Sequence, residues 1–152
     1  MTYRFEMFTT AIAEINRCIQ KIKAMEMTEF NLRGGHLMCL YYLLHHPEGL
    51  TVSEISVLCD EDKAAVSRFM ADLQERRFAF CQASGARKKY RAKLFLTEPG
   101  KEIAHSVDQR VERAVNRGGD GLTETQRVSF YDALLRITHN LKRYYDEKRE
   151  EC

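Results

Sequence analysis

Residues 51–76 place two short, separately capped helices in immediate succession, and this pairing constrains the fold more than any other feature of the chain. Thr51-Val52-Ser53-Glu54 is a capping box. The threonine hydroxyl can accept from the amide three residues on, and the glutamate can reach back to the cap amide. The helix it opens carries Val52, Ile55 and Cys59 on its inner face. Asp60-Glu61-Asp62 then makes a tight acidic turn, and Asp62 is a good N-cap for a helix from Lys63 to about Arg76. Two short helices joined by about three residues are the sequence shape of a helix-turn-helix.

The second helix of the pair has two distinct faces. Val66, Phe69, Met70 and Leu73 fall within one quadrant at 100° per residue and form the expected inner stripe. The opposite face carries Ala64, Arg68, Ala71 and Glu75, flanked by Lys63 and Ser67. Its early part is small, hydroxylic or cationic, which suits a major groove. Small residues permit close approach, arginine can bond guanine through two donors, and serine can bond phosphate or a base edge. Taken alone, the stretch fits an amphipathic surface helix equally well.

The next twenty residues tip the balance. Phe78–Ala83 is expected to be a strand, Ser84-Gly85-Ala86 a turn, and Leu94-Phe95-Leu96 a second strand. Between turn and strand, Arg87-Lys88-Lys89-Tyr90-Arg91-Ala92-Lys93 places five cations in seven residues with no acid. A hairpin with a basic tip directly after a helix-turn-helix is a wing, whose cations would meet phosphates or the adjacent minor groove. The candidate DNA-contacting set is Ser53, Lys63, Ala64, Ser67 and Arg68, with Arg87, Lys88, Lys89, Arg91 and Lys93 from the wing.

The flanks are helical. Phe5, Phe8, Ile12, Ile15, Ile19 and Ile22 recur in steps of 3, 4, 3, 4 and 3, a single apolar seam. A second helix from about Leu32 to His45 is apolar nearly all round and is stopped by His46-Pro47-Glu48-Gly49. Thr97 caps a helix with Pro99 in its first turn and Ile103, Val107 and Val111 along it. That helix ends in Arg117-Gly118-Gly119-Asp120-Gly121, a hinge that lacks any phosphate-loop spacing. Thr123-Glu124-Thr125-Gln126 is another capping box, opening a last helix with Phe130, Leu134, Ile137, Leu141 and Tyr144 in one stripe.

Composition excludes several classes. At 152 residues the chain is expected to be one domain, and its net charge of +2 says little by itself. No stretch approaches a membrane span and the N-terminus has no targeting pattern, so a cytoplasmic protein is expected. The five cysteines are widely spaced without a CxxC, which argues against a disulfide framework or a zinc site. Cys18, near Arg17 and Lys21, is the one thiol that sequence alone singles out for oxidant sensing. The histidines do not cluster, and no cofactor or metal is expected. No nucleophile elbow, HExxH or dinucleotide fingerprint points to an enzyme.

The stretches Leu50-Thr-Val-Ser-Glu-Ile-Ser, Asp62-Lys-Ala-Ala-Val-Ser-Arg-Phe-Met-Ala-Asp-Leu-Gln-Glu-Arg and Leu96-Thr-Glu-Pro-Gly-Lys-Glu-Ile together resemble the multiple-antibiotic-resistance regulator (MarR) family. The resemblance covers about the middle half of the chain closely. It implies a mainly α fold with a small β-hairpin wing: a winged helix-turn-helix lobe over 32–97 within a single domain of 1–152. Helices over 3–28 and 98–149 would interlock across a two-fold axis. It further implies a homodimer on double-stranded DNA, a repressor on a pseudo-palindromic operator, released by a small aromatic or phenolic effector near His36, Tyr41 and Tyr42. Two features depart from the family pattern. Lys88 and Tyr90 stand where the wing usually has Asp-x-Arg, and Arg77-Phe78 stands where a glycine often ends the recognition helix. The altered wing keeps a second reading open, a winged-helix adaptor that binds protein rather than DNA.

Overall fold

The computed structural model describes residues 2–82 and 92–151. The expected turn Ser84-Gly85-Ala86, Tyr90, the cations Arg87, Lys88, Lys89 and Arg91, and Cys152 lie outside the described residues. The described elements are α1 (Thr2–Thr28), α2 (Gly34–His45), α3 (Val52–Cys59), α4 (Lys63–Glu75), β1 (Ala79–Gln82), β2 (Lys93–Leu96), α5 (Glu98–Gly118) and α6 (Glu124–Glu150). They form two compact units, 1–111 and 112–152. No described helix is long and apolar enough to cross a membrane.

The first unit is built on α2. As its all-round apolar sequence requires, α2 buries Leu37, Cys39, Leu40 and Leu43. Met27 from α1, Ile55 from α3, Val66, Met70 and Leu73 from α4, Leu94 and Leu96 from β2, and Ala104 and Val107 from α5 close the core around it. Full burial of a leucine or isoleucine side chain stabilises by about 1.5–3 kcal/mol, so these contacts dominate the cohesion of the unit. The inner stripe of α4 differs slightly from expectation. Ala65 is buried with Val66, Met70 and Leu73, while Phe69 is only half-buried. Its ring lies against Gly35, where an added Cβ would stand 2.1 Å from Phe69 Cζ. Glycine at 35 therefore lets the start of α2 and the middle of α4 approach closely.

β1 and β2 pair antiparallel, with Ala79 opposite Leu96 and Gln82 opposite Lys93. A bridge from Leu50 to Leu94 adds a third short segment, with N···O distances of 3.2 and 2.8 Å. The hairpin is thus tied to the residue just before α3. On its outer face Phe80 and Phe95 stack with centroids 5.5 Å apart.

The exit from α4 shows the sequence under strain. The Phe78 amide bonds to the Leu73 carbonyl at 2.8 Å and the Arg77 amide to that of Gln74 at 3.0 Å. This is the Schellman arrangement, whose turning residue takes a left-handed conformation that glycine adopts most readily. Here Arg77 adopts it, with φ of 62°. Thr97 holds the other side of the junction. Its Oγ1 donates to the Arg77 carbonyl at 2.7 Å and accepts from the Gly100 amide at 3.1 Å, capping α5 as expected. Arg110 of α5 donates to the Glu26 carboxylate at 2.8 Å and to that of Glu29, and stands 5.1 Å over the Phe30 ring. This clamp fixes the end of α1 within the unit.

The second unit holds the last turns of α5 and the whole of α6. Gly121 turns the chain with φ of 82°, and Arg127 donates to the Gly119 carbonyl at 2.9 Å. Thr123 accepts from Gln126 N at 3.3 Å, and Gln126 Oε1 accepts from Thr123 N at 2.8 Å, which completes the expected capping box.

Candidate nucleic-acid interface

The turn between α3 and α4 sets the geometry of the interface. Thr51 Oγ1 accepts from Glu54 N at 3.2 Å, and Glu54 Oε2 accepts from Thr51 N at 2.7 Å. These bonds hold the Glu54 carboxyl below its ordinary range, the backbone bond from Thr51 first and the hydroxyl bond second. At the other end, Asp60 takes a left-handed conformation with φ of 53° and closes α3. Asp62 Oδ1 accepts from Ala65 N at 2.7 Å and opens α4 two residues later. The chain direction therefore changes within residues 60–62, each step carried by a residue suited to it.

Lys63, Ala64, Ser67, Arg68, Ala71 and Glu75 are exposed on α4, and Ser53 is exposed near the start of α3. The opposite face of α4 is anchored in the core, so this outer face is presented on a rigid support. Its cations differ from others nearby. Arg76 is held by Asp72 at 2.9 Å and Arg110 is held by two glutamates. Among the described residues, neither Lys63 nor Arg68 has a carboxylate within ion-pair distance. Their charge is directed to solvent, as a groove-facing cation requires.

Of the expected wing cations only Lys93 is described. It sits at the start of β2, and its Nζ donates to the Glu48 carbonyl at 3.1 Å. It therefore braces the hairpin against the loop before α3.

Of the residues expected near an effector, Tyr41 and Tyr42 are half-buried. His36 is buried in the first turn of α2. Its Nδ1 lies 3.0 Å from the Arg33 amide and 3.1 Å from the Arg33 carbonyl. Nε2 stands 2.8 Å from Asp72 Oδ2 but out of line for a well-formed hydrogen bond. The Tyr41 ring lies 5.4 Å from Tyr42 and 4.5 Å from His45. A separate groove of about 430 Å³ is lined by Leu43, Leu44, Pro47, Phe80, Phe95 and Lys101 among others, and none of His36, Tyr41 and Tyr42 borders it.

The structure also assembles what sequence spacing could not. Cys39 of α2 and Cys59 of α3 line the same small cavity, whereas Cys18 stands exposed on α1. Nothing in the 20-residue spacing of Cys39 and Cys59 signals that they share a cavity.

Residues 37–79 match the family model of the IclR helix-turn-helix domain, a stretch from α2 into β1. Among curated proteins compared by sequence, none matches. Among solved structures, the transcriptional regulator SlyA is similar over 91% of this chain and 96% of its own, with 23% identity and a TM-score of 0.81. A MarR-family regulator from Listeria monocytogenes, complexed with 26mer DNA, is similar over 88% of this chain and 87% of its own, with 24% identity and a TM-score of 0.76. The S. aureus MepR–DNA complex is similar at 16% identity, over 88% of this chain and 96% of that one, with a TM-score of 0.78. The fold of this chain is the winged helix-turn-helix fold of those regulators.

Proposed function

We propose that this chain is a MarR-family transcriptional regulator that binds double-stranded DNA as a homodimer and acts as a repressor on a pseudo-palindromic operator. The observation that carries the reading is the outer face of α4. It offers Ser67 and Arg68 with small neighbours, without a carboxylate partner for its cations, on a helix locked into the core. In this reading Lys63, Ala64, Ser67 and Arg68 enter the major groove, Ser53 contacts the backbone, and Arg87, Lys88, Lys89, Arg91 and Lys93 supply the wing. Two of the similar structures are described as DNA complexes, which supports the same assignment.

The uncovered apolar faces support a second copy as partner. Phe5, Phe8, Ile12, Ile15, Ile19 and Ile22 are all exposed on α1 of the single chain. On α6 no residue is buried, and Phe130, Leu135, Ile137, Leu141, Tyr144 and Tyr145 are exposed. Faces of this extent mark an interaction site, and a closed two-fold dimer buries the same faces of both copies together. Release by a small aromatic or phenolic effector belongs to this reading and rests on the family resemblance.

Titration of labelled duplex DNA at several salt concentrations tests the assignment. A regulator making roughly 6–10 phosphate contacts loses about 10³–10⁵ in affinity between roughly 50 and 200 mM salt. Weak binding without preference for any duplex would instead favour the protein-binding adaptor, for which the loss of Asp-x-Arg from the wing is the one argument.

A further inference from the structure

We propose that Cys59 and Cys39 form an oxidisable thiol pair that hydrogen peroxide converts to an intrachain disulfide, with Cys59 attacking and Cys39 resolving. The two thiols come from different helices, α3 and α2, and line one cavity of about 20 Å³ together with Lys23, Gln20, Glu61 and Phe69. Cys59 is partly exposed and Cys39 is buried, which orders their roles. A peroxide reaches Cys59 first, and Cys39 waits behind it, shielded from direct attack.

The electrostatics agree with that order. Interaction with the Cys39 thiol lowers the pKa of Cys59, and the Lys23 charge lowers it further, against the opposing effects of burial and Glu61. The same interaction, followed by burial, pushes the Cys39 thiol up. The thiolate is the nucleophile, and a cation beside it favours that form.

The chemistry balances with hydrogen peroxide as the only co-reactant. The Cys59 thiolate attacks one peroxide oxygen, the O–O bond breaks, and the leaving hydroxide takes the proton that Cys59 released. This gives a sulfenic acid and water. The Cys39 sulfur then attacks the Cys59 sulfur, forming the S–S bond. The displaced hydroxide takes the Cys39 proton and leaves as a second water. The final bond requires the sulfurs to close to about 2.05 Å. Cys59 is the last residue of α3 and precedes the left-handed Asp60. The cavity holds little more than a water-sized molecule, which favours hydrogen peroxide over a bulky organic hydroperoxide.

The test needs no DNA and stands apart from the proposed function. The full chain is treated with stoichiometric hydrogen peroxide, the remaining thiols are alkylated, and the protein is digested with trypsin without reduction. Cys39 and Cys59 leave on a single peptide, residues 34–63, because no lysine or arginine interrupts it. The expected product is that peptide unalkylated and lighter by two hydrogens. Cys39→Ser is expected to leave a sulfenic acid on Cys59 that a cyclic diketone traps, and Cys59→Ser to abolish both products while circular dichroism stays unchanged. Cumene hydroperoxide is expected to react more slowly than hydrogen peroxide. Oxidation at the exposed Cys18 or Cys81 with residues 34–63 fully alkylated would overturn the proposal, as would oxidation of Cys59 that never joins Cys39.

Discussion

Nε2 of His36 lies 2.8 Å from Oδ2 of Asp72, joining the buried first turn of α2 to the middle of α4. Asp72 is also held by Arg76 at 2.9 Å, so one carboxylate serves a core histidine and an exposed arginine. The His36 ring packs edge-on against Phe69 at 5.1 Å. The outer face of α4 is therefore presented on a helix whose inner side is fixed by a polar contact as well as by apolar packing.

The burial of His36 predicts a pH dependence of stability. Burial lowers the pKa of His36 below its ordinary 6.5, against the raising effects of the Arg33 backbone and Asp72. A histidine with a depressed folded pKa stabilises fully above its unfolded value, and that contribution is lost as pH falls through the folded value. The thermal midpoint should hold from pH 8 to about 6.5 and decline below it. Asp72, lowered chiefly by its bond to Arg76, adds a second loss only below its ordinary 3.8. His36→Gln should remove the first decline and keep the second. Thermal melts from about pH 2 to about pH 8, read by circular dichroism, check both limbs, and an unchanged slope in His36→Gln would contradict the assignment.

Arg77 predicts a stabilising substitution. A non-glycine residue in the left-handed region costs roughly 1–2 kcal/mol. Arg77→Gly relieves that cost and keeps the Schellman bonds, which use backbone atoms only. Part of the gain is returned because glycine gives the unfolded chain more freedom. The net expectation is stabilisation by about 0.5–1 kcal/mol in urea unfolding, with destabilisation as the contrary result.

Gly100 predicts the opposite. A Cβ there would stand 1.8 Å from the Phe78 carbonyl oxygen, a backbone atom that cannot step aside alone. Gly100→Ala must separate the start of α5 from the exit of α4. The expected loss is about 2–4 kcal/mol, at the upper end for a single substitution, measured by the same urea unfolding.

The seam of α1 predicts the assembly. Ile15→Glu places a charge in the middle of the exposed apolar row. Sedimentation equilibrium should give twice the chain mass for the unaltered protein and the single mass for the variant. A single mass for both would remove the dimer from the proposal.

Much of the fold is legible in the sequence because its signals are local. Thr51, Asp62, Thr97 and Thr123 each cap through residues no more than three positions away, and the seam of α1 is a periodicity within one helix. The departure at Arg77 is legible too, though its left-handed backbone emerges only from coordinates. The contacts that refine the site join distant positions. His36 with Asp72, Cys39 with Cys59 and Arg110 with Glu26 depend on how helices pack, which no spacing encodes. The bond from the Lys93 amine to the Glu48 carbonyl likewise joins distant positions.

Whether α4 reads DNA is decided by selection from a pool of random duplexes, then titration of the retained sequence with the protein and with Arg68→Ala. The predicted product is an inverted repeat with half-sites about one helical turn apart. Arg68→Ala is predicted to lose about 1–3 kcal/mol for each base contact removed, with relaxed preference at that base pair. Failure to enrich any sequence, or a best site that Arg68→Ala binds as tightly as the unaltered chain, would contradict the placement of α4 in the groove.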